Sequence, residues 1–266
     1  MVIKKFINKI LKRKQISIAG ISKFDIDQNR LHKYENYNEN EIKNHYYNWW
    51  NDTAKRNINW VKEGIAHEKY CMDEKIDVWH VGTKLHYFPD LKNLLEKTIG
   101  IENLNLNRGA DLGCGTVTFF EFLEVKEPVL IDLSKAYCNF MASKGWKVLN
   151  ENIENLSLES NSQDVVICSD ILEHVLSWDK AIKQVSRILS DDGVLLVNLP
   201  WQQNLSEIPA EIGGHIRTFD EKNLSEYFAG WQILASSVVE KKVKPNCIPT
   251  INLVLKKKLN QEGLDS

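Results

Sequence analysis

The chain has 266 residues, of which 43% are hydrophobic and 26% charged, with a formal net charge of −2. That composition excludes a disordered chain and leaves room for one large domain, or one domain and a cap. Residues 1–14 carry six positive charges and no acid, so the rest of the chain is net acidic, a poor electrostatic match to nucleic acid.

The N-terminal arm places Val2, Ile3, Phe6, Ile7, Ile10 and Leu11 at helical spacing, with lysines on the other face. Such a helix packs on its own domain or rests on an anionic membrane or a partner. Gly20 to Asn44 is polar and reads as a linker, so 1–44 is taken as arm and linker. Residues 45–100 form an aromatic-rich helical cap, holding Trp49, Trp50, Trp60, Trp79, His80 and His86; it is a packed cap that can also serve as a substrate lid. Pro89 reads as the start of a helix ending at Gly100.

From 101 to 258 short apolar runs alternate with helical patterns. The runs are 109–115, 128–134, 146–152, 164–170 and 193–200, followed by 231–242 and 248–258. Helices are expected at 116–124, 134–144, 170–176, 179–190 and 221–229. Strands alternating with helices predict an α/β fold with a parallel sheet covered on both faces. Residues 259–266 are a tail. The five cysteines, 71, 114, 138, 168 and 247, are scattered and form no CxxC pair, which suits reduced thiols. With no apolar run of 18 residues and no secretory signal pattern, the expected location is cytoplasmic, the inner face of the membrane being one of the surfaces open to the arm beside its own domain.

Asp111-Leu112-Gly113-Cys114-Gly115 sits where a first strand turns into a helix, and glycines there let backbone approach a ligand. Seventeen residues on, Asp132 ends the second strand, where a carboxylate can accept both hydroxyls of a ribose. Ser134 is the better candidate for the following helix cap.

These motifs resemble class I S-adenosylmethionine-dependent methyltransferases. Asp111, Gly113 and Gly115 match the acid and the first two glycines of their first motif, and Asp132 the ribose acid. Asn152-Ile153-Glu154-Asn155-Leu156 matches the turn after strand three. The block 162–200 is similar in order and spacing to small-molecule methyltransferases of the ubiquinone-biosynthesis type, and 213–231 shares their His-x-x-x-Phe pattern. The resemblance covers roughly 103–258. It implies a Rossmann-like sheet of seven strands, the last antiparallel, under the helical cap. It also implies a cofactor site of Asp111, Gly113, Cys114, Gly115, Asp132, Leu133, Asn152, Ile153, Ser169 and Asp170. Val117 replaces the family's third glycine, and a β-branched residue there is expected to crowd the cofactor's methionine end.

Methyl transfer to a hydroxyl needs a proton removed, and His215, after Gly213-Gly214 in the loop following strand five, is the first candidate base. Asp170, Glu173 and His174 are expected on one helix face, where they form a second catalytic group or hold a divalent cation. The ubiquinone-type enzymes use a metal at a comparable Glu-x-x-Glu-His run. Structural roles, with Asp170 as a helix cap, are the preferred expectation here. The expected activity is O-methylation of a small polar acceptor, such as a sugar or surface-polysaccharide precursor. The alternatives are an NAD-dependent oxidoreductase, which shares Gly-x-Gly and a later acid, and a non-catalytic binding or scaffold protein. Against NAD, Thr118 stands where a dinucleotide turn needs Gly or Ala.

Overall fold

The computed structural model describes residues 37–62, 81–202, 214–239 and 249–258. The apolar runs become strands β1 (Arg108–Leu112), β2 (Glu127–Asp132), β3 (Val148–Asn150), β4 (Gln163–Ser169), β5 (Leu189–Pro200), β6 (Trp231–Val239) and β7 (Thr250–Lys257). They form one sheet in the order β3-β2-β1-β4-β5-β7-β6. The first five strands pair in parallel, and β7 inserts antiparallel between β5 and β6. The expected seven strands are present, and the last lies inside the sheet.

Strand alternation sends side chains to two cores. Ala110, Leu112, Val129, Ile131, Val166 and Cys168 face one, while Leu130, Val165 and Ile167 face the other. Every residue of β4 is buried, as a central strand covered on both faces requires. The first face is covered by α4 (Trp178–Ile188), whose Trp178, Ala181, Val185 and Ile188 are buried at helical spacing. The opposite face is covered by α2 (Val81–Thr98), through Tyr87, Phe88, Leu91 and Leu95. The remaining helices are α1 (Glu39–Lys62), which packs across α3 (Lys135–Ser143), and the single turn α5 (Leu224–Tyr227).

Several expected boundaries are corrected. Helix α1 begins inside the stretch read as linker, because Asn38 and Glu41 form a capping box. The Asn38 Oδ1 accepts from the Glu41 amide (3.1 Å), and Glu41 Oε2 accepts from the Asn38 amide (2.7 Å). Helix α2 begins eight residues before Pro89, which lies within it. The buried Tyr87 and Phe88 hold the preceding turns to the sheet, so packing overrides the proline signal. The helix expected at 116–124 is only a 3-10 turn, Phe119–Glu121, and that expected at 170–176 is a series of turns. The arm 1–14, the tail 259–266 and His80 lie outside the described residues, as does the side chain of His86.

Candidate active site

The parallel strands deliver their carboxyl ends to one edge of the sheet, where open α/β sheets bind ligands. After β1 the chain passes through Gly113 (φ 75°) and Gly115 (φ 61°), left-handed conformations that favour glycine. A Cβ on Gly113 would also lie 2.7 Å from Ile171 Cδ1, whereas one on Gly115 would meet nothing within 4 Å, since that residue borders a cavity. Asp111 stands behind the turn, fully buried. Its Oδ2 accepts from Thr118 Oγ1 (2.6 Å) and from the Phe119 amide (3.1 Å). Asp111 therefore shapes the turn and is not among the residues lining the cavity, and burial raises its pKa. Thr118, read as an argument against NAD, caps the 3-10 turn as well, through its bond to the Phe120 amide.

Asp132 lines the cavity at the end of β2. Its Oδ2 accepts from the Gly115 amide (3.0 Å) and its Oδ1 from the Ser134 amide (2.8 Å). Each oxygen keeps a second lone pair for a ligand hydroxyl. Burial pushes the carboxyl up to about 6, against the pull of those two hydrogen bonds and of Lys84. Ser134 caps α3, as expected.

Sequence reasoning missed Lys84. It reaches from α2 into the cavity, 6% exposed, and its Nζ donates to the carbonyls of Gly113 (2.8 Å) and Cys114 (3.3 Å). The only signal was its i, i+3, i+7 spacing with Tyr87 and Leu91, and a lysine on such a stripe reads as an interruption. The Cys114 thiol is buried in the core, where desolvation raises its pKa, so only its backbone belongs to the turn.

Asp170 follows β4 in a left-handed conformation (φ 48°) and lines the cavity. Its carboxylate accepts from the Tyr87 hydroxyl, which in turn accepts from Ser169 Oγ (3.3 Å). The expected face of Asp170, Glu173 and His174 is therefore corrected. With no helix there, Asp170 turns to Tyr87, and the third member beside Glu173 and His174 is His215. Candidate ligand atoms of Glu173, His174 and His215 all lie within 4.8 Å of one another. The segment after β5 is docked there by the Ile216 amide on the Glu173 carbonyl (3.0 Å) and by the buried Arg217 guanidinium on the carbonyls of Val175 and Leu176. The His174 Nδ1 pairs with the Gly214 carbonyl (3.0 Å), and its ring stands edge-on to His215 (4.7 Å) and to Trp50 (4.8 Å).

The cavity holds about 60 Å³ and is lined by Lys84, Gly113, Gly115, Thr116, Asp132, Leu133, Tyr137, Asp170, Ile171 and His174, with Tyr46 and Trp50 of α1. A larger hollow of about 540 Å³ lies on the flank between α4 and the turn after α5, away from the strand ends, and holds none of the candidate residues. Asn152 and Ile153 are not among the residues lining the cavity. The Asn152 Oδ1 accepts from the Glu154 amide (2.9 Å), and Ile153 packs in the core. Val117 is corrected too: its half-buried side chain packs on the core beneath the turn and leaves the cavity clear.

Comparison with known proteins places this geometry. Residues 110–197 match a family described as "Methyltransferase domain". An uncharacterized protein of Methanocaldococcus jannaschii is 31% identical over 110 residues, 41% of this chain and 47% of its own length. A ubiquinone/menaquinone biosynthesis C-methyltransferase of Campylobacter jejuni is 30% identical over 135 residues, 46% of this chain and 54% of its own length. The chain thus spans about half the length of the curated relatives it matches. A solved S-adenosylmethionine-dependent methyltransferase of Thermotoga maritima, described as a possible histamine N-methyltransferase, superposes with a TM-score of 0.55 at 19% identity, over 76% of this chain and 97% of that one. Residues 110–197 thus match a methyltransferase domain, and the sheet that holds them has the α/β methyltransferase fold.

Proposed function

We propose that the protein transfers a methyl group from S-adenosylmethionine to an oxygen of a small polar acceptor. The observation that carries this reading is convergence around one cavity: the left-handed glycine turn, the buried Asp132 and His174 line it at the carboxyl ends of β1, β2 and β4, and Glu173 and His215, which are not among the lining residues, adjoin it through His174. Bound there, the sulfonium supplies an activated methyl group. Asp132 offers lone pairs to ribose hydroxyls, and Gly115 presents open backbone beside it. His215, with a side chain 17% exposed, is the base, and Glu173 Oε1 at 4.0 Å from its Nε2 stabilises the imidazolium that forms. The same carboxylate and two imidazoles have the donors of a divalent-cation site, but a cation held there would occupy the lone pair that the base needs, so turnover that survives a chelator is the outcome expected for His215 as base.

Tyr46 and Trp50 form an aromatic roof that suits the faces of a sugar. Small-molecule pockets span about 300–1,000 Å³, so the cavity of about 60 Å³ must widen to admit a ligand. The basic, amphipathic arm 1–14 supports contact with an anionic membrane surface. The Campylobacter relative favours a second reading, transfer to carbon, which draws on the same base.

The test supplies methyl-labelled S-adenosylmethionine with sugar and quinol acceptors and locates the label by mass spectrometry and NMR. Label on oxygen supports the proposal, and label on carbon supports the second reading. His215→Ala should lower turnover by about 10²–10⁴-fold at unchanged cofactor affinity. Full turnover in that variant removes His215 from the mechanism.

A further inference from the structure

We infer that the hollow between α4 and the turn after α5 binds a neutral saccharide, at a site separate from the catalytic cavity. The inference goes beyond the proposed methyl transfer and does not rest on it. The hollow holds about 540 Å³, within the range of about 300–1,000 Å³ for small-molecule sites. Its walls are fixed by contacts within the protein. The Trp178 ring lies 4.5 Å from that of Tyr227 and 5.5 Å from that of Phe228, centroid to centroid. The Trp231 amide donates to the Phe228 carbonyl (2.9 Å). On α4, the Arg187 guanidinium donates to the carbonyls of Leu156 (2.9 Å) and Leu158 (2.6 Å) and to Gln184 (2.7 Å).

The floor and the rim together select the ligand. Trp178 and Trp231 both line the hollow, and each is 4% exposed. Among the described residues their indole N–H groups meet no acceptor, yet they are not sealed from solvent, so the small uncovered part of each ring carries a donor. Such a donor calls for an acceptor oxygen on whatever fills the hollow. With so little of each ring uncovered, no face is left for stacking, which disfavours planar ligands such as nucleobases and quinones. At the rim, Asp179 and Glu226 are exposed acceptors, Lys183 is an exposed donor, and the Ser186 hydroxyl is both. Two acids balance Lys183 and Arg187, and the Arg187 donors are already engaged, so the site carries no net field that favours an anion or a cation. A ligand that accepts from indoles, donates to carboxylates and has neither charge nor a flat ring is a polyol. A sugar ring presents its hydroxyls at fixed angles, which lowers the ordering cost of meeting a rigid wall.

The experiment follows the indole N–H signals of the isotope-labelled full chain by NMR, assigned with Trp50→Phe, Trp178→Phe and Trp231→Phe. Glucose, galactose, mannose, N-acetylglucosamine, maltose and lactose are added singly. At least one should shift the signals of Trp178 and Trp231 saturably and leave that of Trp50, which lines the catalytic cavity, in place. Trp231→Phe keeps an aromatic ring and loses the donor, and should weaken that binding about 2–10-fold, the scale of one neutral hydrogen bond. Ser186→Phe fills the hollow and should abolish binding, with affinity for S-adenosylhomocysteine unchanged. No saturable shift of Trp178 or Trp231 with any of these sugars overturns the inference. An equal response to inorganic phosphate or to adenine overturns it too, as does saccharide binding that survives Ser186→Phe in a folded variant. A shift of Trp50 alone places the sugar in the catalytic cavity, which overturns this site and supports the proposed acceptor. Failure of S-adenosylhomocysteine to bind counts against the methyl-transfer reading, and the shifts of Trp178 and Trp231 still decide this one.

Discussion

Replacing Asp132 with an asparagine separates what this residue does for the ligand from what it costs the fold. Both carboxylate oxygens accept backbone amides, Gly115 at 3.0 Å and Ser134 at 2.8 Å. An amide side chain has one oxygen, so its NH₂ must face one of those donors, at a cost of about 1–3 kcal/mol. Against this, burial raises the carboxyl from 3.8 to about 6. A group raised on folding contributes stability that is complete below its unfolded pKa and lost as pH rises through the folded value. That contribution is about 3 kcal/mol at most, at about 1.4 kcal/mol per pH unit. The amide in Asp132→Asn has no proton to lose, so wild type should lose stability relative to the variant between about pH 4 and pH 7. At pH 7 the two effects oppose, and the proteins should lie within about 2 kcal/mol of each other. Binding of S-adenosylhomocysteine at pH 7 should fall about 10–100-fold, because a charged acceptor for the ribose is gone. Urea unfolding at several pH values and calorimetric titration read the two quantities separately. Unchanged affinity in a folded variant would refute the ribose assignment, and a stability gap independent of pH would refute the role of burial.

Asn57 is 2% exposed and donates to the Tyr137 hydroxyl at 2.5 Å, tying α1 to α3. Asn57→Ala should cost about 1–3 kcal/mol in urea unfolding, and no loss would mean that this tether is not formed in solution. Val117→Ala should cost about 1 kcal/mol, because its half-buried methyls pack on the core. Its affinity for S-adenosylhomocysteine should not change; a large gain would restore the view that valine crowds the cofactor.

The sheet was legible because its strands are runs of β-branched and apolar residues broken by helical patterns, and 163–169 and 250–257 show this most clearly. Asp132 and the glycine turn were legible because strand-end position and glycine chemistry are local properties. The helix at 170–176 was misread because the spacing of Asp170, Glu173 and His174 fits a helix, while the left-handed Asp170 that breaks it depends on Tyr87, 83 residues away. His215 joins Glu173 and His174 through the pairing of Ile216 with Glu173, a contact across 43 positions that no periodicity announces. Lys84 was hidden for the same reason, since its acceptors are backbone carbonyls about 30 residues on, and these leave no mark on composition.

The central claim is that the cavity at the carboxyl edge takes S-adenosylmethionine and not a dinucleotide. The glycine turn leads into a three-residue 3-10 helix, Phe119–Glu121, instead of the longer helix whose N-terminus would hold a pyrophosphate. Parallel calorimetric titrations of the full chain with S-adenosylmethionine, S-adenosylhomocysteine and NAD test this most directly. The account predicts saturable one-to-one binding of the first two and no heat of binding from NAD. Saturable binding of NAD with no response to either S-adenosyl ligand would contradict it.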